Sequence, residues 1–138
     1  MEKKLQKKLG AYYTPNDLVT FLCKNILKEK PKSILEPSFG DGIFLNTLEE
    51  NKYYNISIDG VEIDKKTFLN FKKNKNKSIN LYNENFLKFN NKKYDAVIGN
   101  PPFVRTRFLD KDQKDEAVKY YKEKLNLKSL SDPSLWLI

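Results

Sequence analysis

The sequence contains no histidine, and its 138 residues include only one cysteine, Cys23. Without histidine the chain has no histidine general base and no Ser-His-Asp triad, and the usual zinc sites lose their commonest ligand. A single cysteine excludes an internal disulfide and a cysteine-ligated metal cluster. There is also no recognisable signal peptide and no apolar run of membrane-spanning length, so we expect a cytosolic protein with no membrane partner and no metal.

Arginine is scarce as well, because Arg105 and Arg107 are the only two and lysine supplies the rest of a net charge of +8. A basic chain of this kind favours phosphate-rich partners such as nucleic acids. Abundant lysine and asparagine are equally compatible with A+T-rich coding, and composition does not separate the two explanations. The length and the 39% hydrophobic content allow one small domain at most.

The pattern of apolar residues predicts an α/β fold. Four strands are expected, at 33–36, 56–61, 79–82 and 94–98. Besides a helix that precedes the first strand, helices are expected to begin after Gly42, at Asp64 as the capping residue, and at Ser131 or Asp132, and one is expected to span 110–125. The order strand, helix, strand, helix, strand, strand implies a parallel sheet with helices on both faces.

A first helix is predicted between Asn16 or Asp17, one of which would cap it, and about Lys30. Cys23 lies within it and is expected to be a small core residue. The side chains predicted to face inward on this helix are Leu18, Phe21, Leu22, Ile26 and Leu27. Those predicted to face inward on the helix after Asp64 are Phe68, Leu69 and Phe71.

The most informative segment is 94–103, YDAVIGNPPF. Val97 and Ile98 are predicted to be buried in a strand, which the two prolines end while they favour an extended Asn100. The Asn100 amide would then lie at the carboxyl end of a strand, where open α/β sheets bind their ligands. A hydrogen-bond acceptor beside the aromatic face of Phe103 suits a planar base that offers an exocyclic amine.

A glycine-rich turn, 36–42 (EPSFGDG), follows the first strand, and Gly40 and Gly42 let its backbone approach a ligand closely. The turn lacks the third glycine of the dinucleotide fingerprint. Its carboxylates, Glu36 and Asp41, would repel a pyrophosphate but suit a ligand with a cationic end. An acidic residue about twenty positions further on, Glu62, is placed to hold a ribose diol.

Two further segments complete a pattern: Tyr13-Thr14-Pro15 precedes the first helix, and Asn85-Phe86 follows the third strand. Together the motifs resemble those of the amino-group DNA methyltransferases with the gamma-type motif order, over about residues 10–105. The resemblance implies a Rossmann-like fold that binds S-adenosyl-L-methionine. It also implies methyl transfer to N6 of a flipped-out adenine in double-stranded DNA, as in a restriction-modification system.

The same resemblance implies a role for each matching residue. Asn100 and the Pro101 carbonyl would accept the amine hydrogens, Pro102 would brace the turn, and Phe103 would stack on the base. The residues implied for cofactor binding are Tyr13, Thr14, Glu36, Ser38, Gly40, Asp41, Gly42, Glu62, Ile63, Asn85 and Phe86. Asn85 and the Tyr13–Pro15 segment also have purely structural interpretations, as a turn and an extended lead-in. Arg105 and Arg107 are candidates for contacts with DNA phosphates.

The chain departs from the family in its extent. Four of seven strands are recognisable and the target-recognition domain is absent. We therefore expect 1–138 to be the N-terminal part of one catalytic domain, with 1–9 flexible and the fourth strand an exposed edge. A C-terminal half or a specificity subunit would be its partner.

Other functions stay open for this chain. It can be a non-catalytic remnant, or it can methylate protein glutamine or ribosomal RNA guanine, whose methyltransferases share the Asn-Pro-Pro-aromatic motif. Methylation of cytosine N4 is disfavoured by asparagine at position 100, where those enzymes typically have serine.

Overall fold

The structure is a computed structural model that describes residues 14–52, 54–73, 78–89, 93–101 and 111–124. One compact unit, Tyr13–Asn100, contains a four-stranded parallel sheet of order β3-β2-β1-β4. In chain order its elements are α1 (Asn16–Lys28), β1 (Ser33–Glu36), α2 (Ile43–Asn51), β2 (Ser57–Val61), α3 (Lys65–Lys73), β3 (Ile79–Tyr82), a 3-10 turn (Phe86–Lys88) and β4 (Ala96–Val97). The predicted α/β fold with four parallel strands is confirmed, and β4 is shorter than expected.

The core of this unit lies against one face of the sheet. The strand register places Ile79, Ile58, Ile34 and Ala96 in one row across the four strands. All four belong to a single apolar cluster, together with buried side chains of the three helices α1, α2 and α3. At Gly60 a side chain would lie 2.6 Å from Leu45, so glycine there lets α2 pack directly on β2.

The inward face of α1 is not the predicted one. Val19, Cys23 and Leu27 are buried at four-residue spacing. The wrongly assigned residues, Leu18, Phe21 and Leu22, are 46%, 63% and 38% exposed. The small Cys23 side chain allows α1 to approach α2 until its Sγ lies 3.9 Å from the Phe44 carbonyl oxygen. Packing of α1 against α2 thus buries the face that contains Cys23 and leaves most of the predicted face exposed.

The N-terminal caps of α1 and α3 differ in whether a side chain makes the capping hydrogen bond. Pro15 occupies the cap position of α1 with no side-chain hydrogen bond, so the capping predicted for Asn16 or Asp17 is wrong. Both residues lie inside the first turn, where the negative charge of Asp17 interacts favourably with the positive end of the helix dipole. At α3 the prediction is confirmed, because Asp64 Oδ1 accepts a hydrogen bond from Thr67 N at 2.8 Å.

Two further apolar side chains that were predicted to be buried, outside α1, are exposed. Val97 is 59% exposed because it lies on the sheet face opposite the three helices, on a strand that forms the edge of the described sheet. Its neighbour Ile98 is buried, as expected. Leu69 of α3 is 43% exposed, while Phe68 and Phe71 are buried as predicted. The predicted apolar edge at β4 is therefore present in the described sheet.

The second compact unit includes helix α4 (Lys111–Lys124), close to the predicted 110–125. The helix predicted from Ser131 or Asp132 lies outside the described residues. Among the helices that the structure describes, none has the length and apolar character needed to cross a membrane.

Candidate functional site

The carboxyl ends of the parallel strands bring the polar motifs to one edge of the sheet. Glu36 ends β1, Glu62 follows β2, Asn85 follows β3, and Asn100 lies three residues beyond β4. Hydrogen bonds between these segments hold them in register: Phe39 N donates to Val61 O at 3.0 Å, and Glu62 N donates to Tyr82 O at 3.0 Å. The sequence motifs thus converge on one end of the sheet, where α/β folds bind ligands.

Glu62 connects the end of β2 to the glycine-rich turn. Its Oε2 accepts a hydrogen bond from Gly40 N at 2.9 Å, and its Oε1 accepts one from Asp64 N at 2.8 Å. The carboxylate is 8% exposed. Each oxygen has a second lone pair, so the same group can also accept hydroxyl donors from a ligand.

Glu36 is the most deeply buried acidic group of the site, at 2% exposure. Among the described residues its Oε2 has no hydrogen-bond partner, and the buried Ser38 hydroxyl two residues later has none either. Burial is the main reason that the pKa of Glu36 lies well above its usual range. The negative charges of Asp41 and then Glu62 raise this pKa further, while a backbone hydrogen bond from Leu45 at the start of α2 lowers it.

Gly40 and Gly42 have different structural roles in the turn. Gly40 has φ +54°, and a side chain there would meet no described atom within 4 Å. Gly42 has φ +76°, and a side chain would lie 1.9 Å from the Phe71 ring. Gly42 is therefore needed for packing, whereas no described residue packs against the position of a side chain at Gly40. Asp41 is exposed, and its Oδ1 accepts a hydrogen bond from Ile43 N at 3.1 Å.

Asn100 is exposed and lies beside residues from the other end of the unit. Its Nδ2 donates to Thr14 Oγ1 at 3.2 Å, across 86 sequence positions. The preceding residue, Gly99, packs on Glu36, since a side chain at Gly99 would lie 3.5 Å from Glu36 Cγ. Thr14 of the predicted lead-in, Glu36 of the glycine-rich turn and Asn100 are thus brought together.

The segment after β3 is tied to the same edge. Asn85 Oδ1 caps the 3-10 turn by accepting from Leu87 N at 3.0 Å, which is the structural interpretation of this residue. Phe86 is half-buried, and its ring centroid lies 6.5 Å from that of Phe89. Ile63, next to Glu62, is 64% exposed. Asn85 thus serves as the capping residue of the 3-10 turn, and the Ile63 side chain is accessible to solvent.

Several positioning residues were missed from the sequence. Asn83 Nδ2 donates to the carbonyl oxygens of Glu62 and Ile63, at 2.7 and 3.2 Å. Asp95 Oδ2 accepts from the backbone of Lys32 and Ser33 at 2.8 and 3.0 Å, which joins β4 to the start of β1. Asparagine and aspartate beside predicted strand ends were the available signals.

A buried carboxylate on the opposite face of the sheet was also missed. Asp59 is fully buried on β2. It accepts hydrogen bonds from Tyr94 Oη at 2.7 Å and from Asn80 Nδ2 at 2.9 Å. It therefore links β2 to β3 and to the segment that precedes β4. Burial, followed by the Asp59 contact, raises the pKa of Tyr94. This network holds the approach to β4 and therefore the corner that carries Asn100.

Five predicted site residues lie outside the described residues: Tyr13, Pro102, Phe103, Arg105 and Arg107. Pro101 is described and is half-buried. In the described part of the chain, no cluster of three or more acidic or cysteine side chains is arranged to hold a metal ion.

The fold is that of the Rossmann-like S-adenosylmethionine-dependent methyltransferases. PH1948 of Pyrococcus horikoshii, provisionally described as an RNA methyltransferase, superposes with a TM-score of 0.62 at 18% identity, over 82% of this chain and 58% of that protein. CalS10 of Micromonospora echinaspora, an amino pentose methyltransferase with bound S-adenosylmethionine, superposes with a TM-score of 0.54 at 17% identity, over 80% of this chain and 46% of that protein. At these identities the likeness establishes the fold.

Sequence comparison establishes more. The type II methyltransferases M.HincII and M.HindII of Haemophilus influenzae are each 33% identical to the chain over 140 residues, which cover 99% of it. The alignments cover 23% and 22% of those proteins, so the chain spans about a quarter of their length. The profile of the N-6 DNA methylase family matches residues 2–137, and the chain belongs to that family.

Proposed function

We propose that the chain is the cofactor-binding part of a DNA methyltransferase that transfers a methyl group from S-adenosyl-L-methionine to N6 of adenine. The observation that carries this proposal is the contact between Gly99 and Glu36. It puts the Asn-Pro corner directly beside the acidic, glycine-lined end of β1. A base held by Asn100 and a cofactor held near Glu36 and Glu62 would therefore be neighbours.

The residues present fit this cofactor. Two buried polar atoms, Glu36 Oε2 and Ser38 Oγ, have no hydrogen-bond partner among the described residues, and no described atom would lie within 4 Å of a side chain at Gly40. Glu62 has lone pairs for a ribose diol, and Ile63 offers an exposed apolar surface for a ring. The acidic side chains suit the positively charged methionine end. S-adenosylmethionine supplies the methyl group when it is bound.

Asn100 and Pro101 would act on the base. An aromatic amine is a weak nucleophile because its lone pair is delocalised into the ring. If the Asn100 side-chain oxygen and the Pro101 carbonyl accept the two amine hydrogens, electron density returns to the nitrogen. Alignment of the reacting atoms supplies much of the remaining acceleration. No histidine base is needed in this scheme.

The remaining roles complete the proposal. Tyr13 and Thr14 would cover the methionine end, Gly42 and Asp41 would shape the turn, and Asn85 and Phe86 would border the adenine ring. Pro102 would brace the corner, and Phe103 would stack on a base flipped out of double-stranded DNA. Arg105 and Arg107 would contact DNA phosphates. We further propose that 1–138 is the N-terminal part of a catalytic domain that acts with a C-terminal half or specificity subunit, in the cytoplasm.

Family membership favours DNA over the other substrates. Methyltransferases of protein glutamine and of ribosomal RNA guanine share the Asn-Pro-Pro-aromatic motif, but the profile that matches residues 2–137 is that of the N-6 DNA methylases. The relatives M.HincII and M.HindII are type II methyltransferases, which supports a role in restriction-modification.

The experiment has two arms. Calorimetric titration of the chain with S-adenosylmethionine is expected to show saturable binding. Transfer of labelled methyl groups to DNA is then measured for the chain alone and for the chain mixed with a C-terminal half, followed by nucleoside analysis. We expect N6-methyldeoxyadenosine only in the mixture, and none with Asn100→Ala. Binding without any transfer would identify a remnant, and label in cytosine would contradict the proposed base.

A further inference from the structure

The unpartnered oxygen of Glu36 raises a question of charge. Glu36 is 2% exposed, and its Oε2 has no hydrogen-bond partner in the described structure. An ionised carboxylate in such a place is costly unless something compensates its charge. The contact that favours ionisation is the backbone N–H of Leu45, in the first turn of α2.

The described charged groups around Glu36 do not compensate its charge. Asp41 in the turn and Glu62 after β2 are both acidic, and their charges disfavour ionisation of Glu36. From α1 the nearest titratable group is Cys23, whose pKa is raised to about 12, first by burial and then by Glu36. Next to β4 the contact is Gly99, which is uncharged. No described lysine or arginine is among the groups that influence Glu36.

These surroundings favour the neutral acid while the site holds no cation. Burial raises the pKa of Glu36 most, and the two neighbouring carboxylates add to that effect. A cation placed beside Oε2 has the opposite effect, because an opposite charge within a few ångströms stabilises the carboxylate. The proton and the cation are therefore alternative ways to neutralise the same oxygen.

We propose that Glu36 makes this pocket selective for positively charged ligands by exchanging a proton for the ligand's charge. The neutral acid of the ligand-free chain releases its proton to solvent, and the resulting carboxylate pairs with the cationic end of the methyl donor. This inference rests on the proposed function for the identity of the ligand. It identifies Glu36 as a specificity-determining residue.

The test counts protons during binding. S-adenosylmethionine is titrated into the chain at pH 6 in two buffers with different enthalpies of ionisation. At that pH the ligand's amino group stays protonated, because α-amino groups titrate near pH 8. We expect the wild-type chain to release protons on binding, up to about one per ligand, and its affinity to rise by up to about tenfold per pH unit while release persists.

Two glutamate variants make the assignment specific. Glu36→Gln removes the exchangeable proton and is expected to bind with no proton release and with little dependence on pH. Glu50→Gln makes the same chemical change at an exposed position of α2 and is expected to behave like the wild type. Equal proton release by Glu36→Gln and the wild type would overturn the inference.

The possible failures can be told apart. Saturable binding without proton release in the wild type refutes the inference and leaves the proposed function standing. Absence of any binding refutes both. If Glu36→Gln does not fold, ¹³C NMR of labelled glutamate carboxyls in the wild type decides the question. One carboxyl must titrate well above the others in the free chain and lose this behaviour when ligand is added.

Discussion

Asn100 Nδ2 donates a hydrogen bond to Thr14 Oγ1 at 3.2 Å, which joins the corner after β4 to the residue before Pro15. An amide that donates through its nitrogen has its orientation restricted, so its oxygen is directed elsewhere. In the proposed mechanism that oxygen is the acceptor for the base. Thr14 would therefore orient the group that Asn100 offers to adenine.

Replacing Thr14 tests this relationship. Thr14→Val keeps the shape and removes the hydroxyl, so the hydrogen exchange of the Asn100 side-chain amide should become about two- to tenfold faster, as expected for loss of one hydrogen bond. Thr14→Ser retains the hydroxyl and should exchange like the wild type. The measurement is ¹⁵N NMR of the side-chain amides. Unchanged exchange in Thr14→Val would show that the bond does not restrain Asn100.

The two glycines of the turn should respond differently to alanine. Gly42→Ala forces a side chain into the Phe71 ring at positive φ and should lower the free energy of unfolding by about 2–5 kcal/mol. Gly40→Ala, which meets no described atom within 4 Å, should cost about 1–2 kcal/mol from backbone strain alone. Urea denaturation measures both variants. Equal losses would contradict the packing described for Gly42.

The hydrogen bond between half-buried Tyr94 and buried Asp59 should contribute measurably to stability. Tyr94→Phe leaves the Asp59 carboxylate buried with one partner fewer, so the free energy of unfolding should fall by about 1–3 kcal/mol. Tyr54→Phe is the matched control, because its hydroxyl donates to Leu27 O over a longer 3.5 Å. Urea midpoints should rank Tyr94→Phe below Tyr54→Phe, and the reverse order would contradict the network.

Folding stability should depend on pH through Glu36. Its pKa is raised in the folded chain, so its contribution is fully present below the unfolded value of about 4.3 and is lost as pH rises through the folded pKa. Glu36→Gln cannot lose this contribution. Relative to the wild type, the ligand-free variant should therefore gain stability in thermal unfolding scans as the pH rises from about 4.3 into the neutral range. A constant difference across that range would contradict the burial of a protonated Glu36.

Much of the architecture follows from local sequence patterns. The strand at Ser33–Glu36 and the strand at Ile79–Tyr82 were predicted to the residue, because each is a short apolar run with clear turn signals on either side. The convergence of Glu36, Glu62 and Asn100 also follows, since parallel strands place their carboxyl ends at one edge.

The errors have a common physical cause, which is tertiary packing. The apolar stripe of α1 contains two candidate faces, and only the fit of Cys23 against Phe44 selects Val19, Cys23 and Leu27. The exposure of Val97 depends on strand order, which periodicity along one strand does not encode. Contacts such as Tyr94–Asp59 span 35 positions and leave no local signal.

The central claim is that the acidic, glycine-lined edge of the sheet binds S-adenosylmethionine beside Asn100. The most direct measurement is an ¹⁵N NMR titration of the chain with this ligand. We expect saturable chemical-shift changes at the backbone amides of Ser38, Gly40 and Glu62, and also at the Asn100 side chain. The chemical shifts of Ser33 and Asp95, on the opposite edge of the sheet, should change little. Absence of saturation, or shifts centred on Ser33 and Asp95, would contradict it.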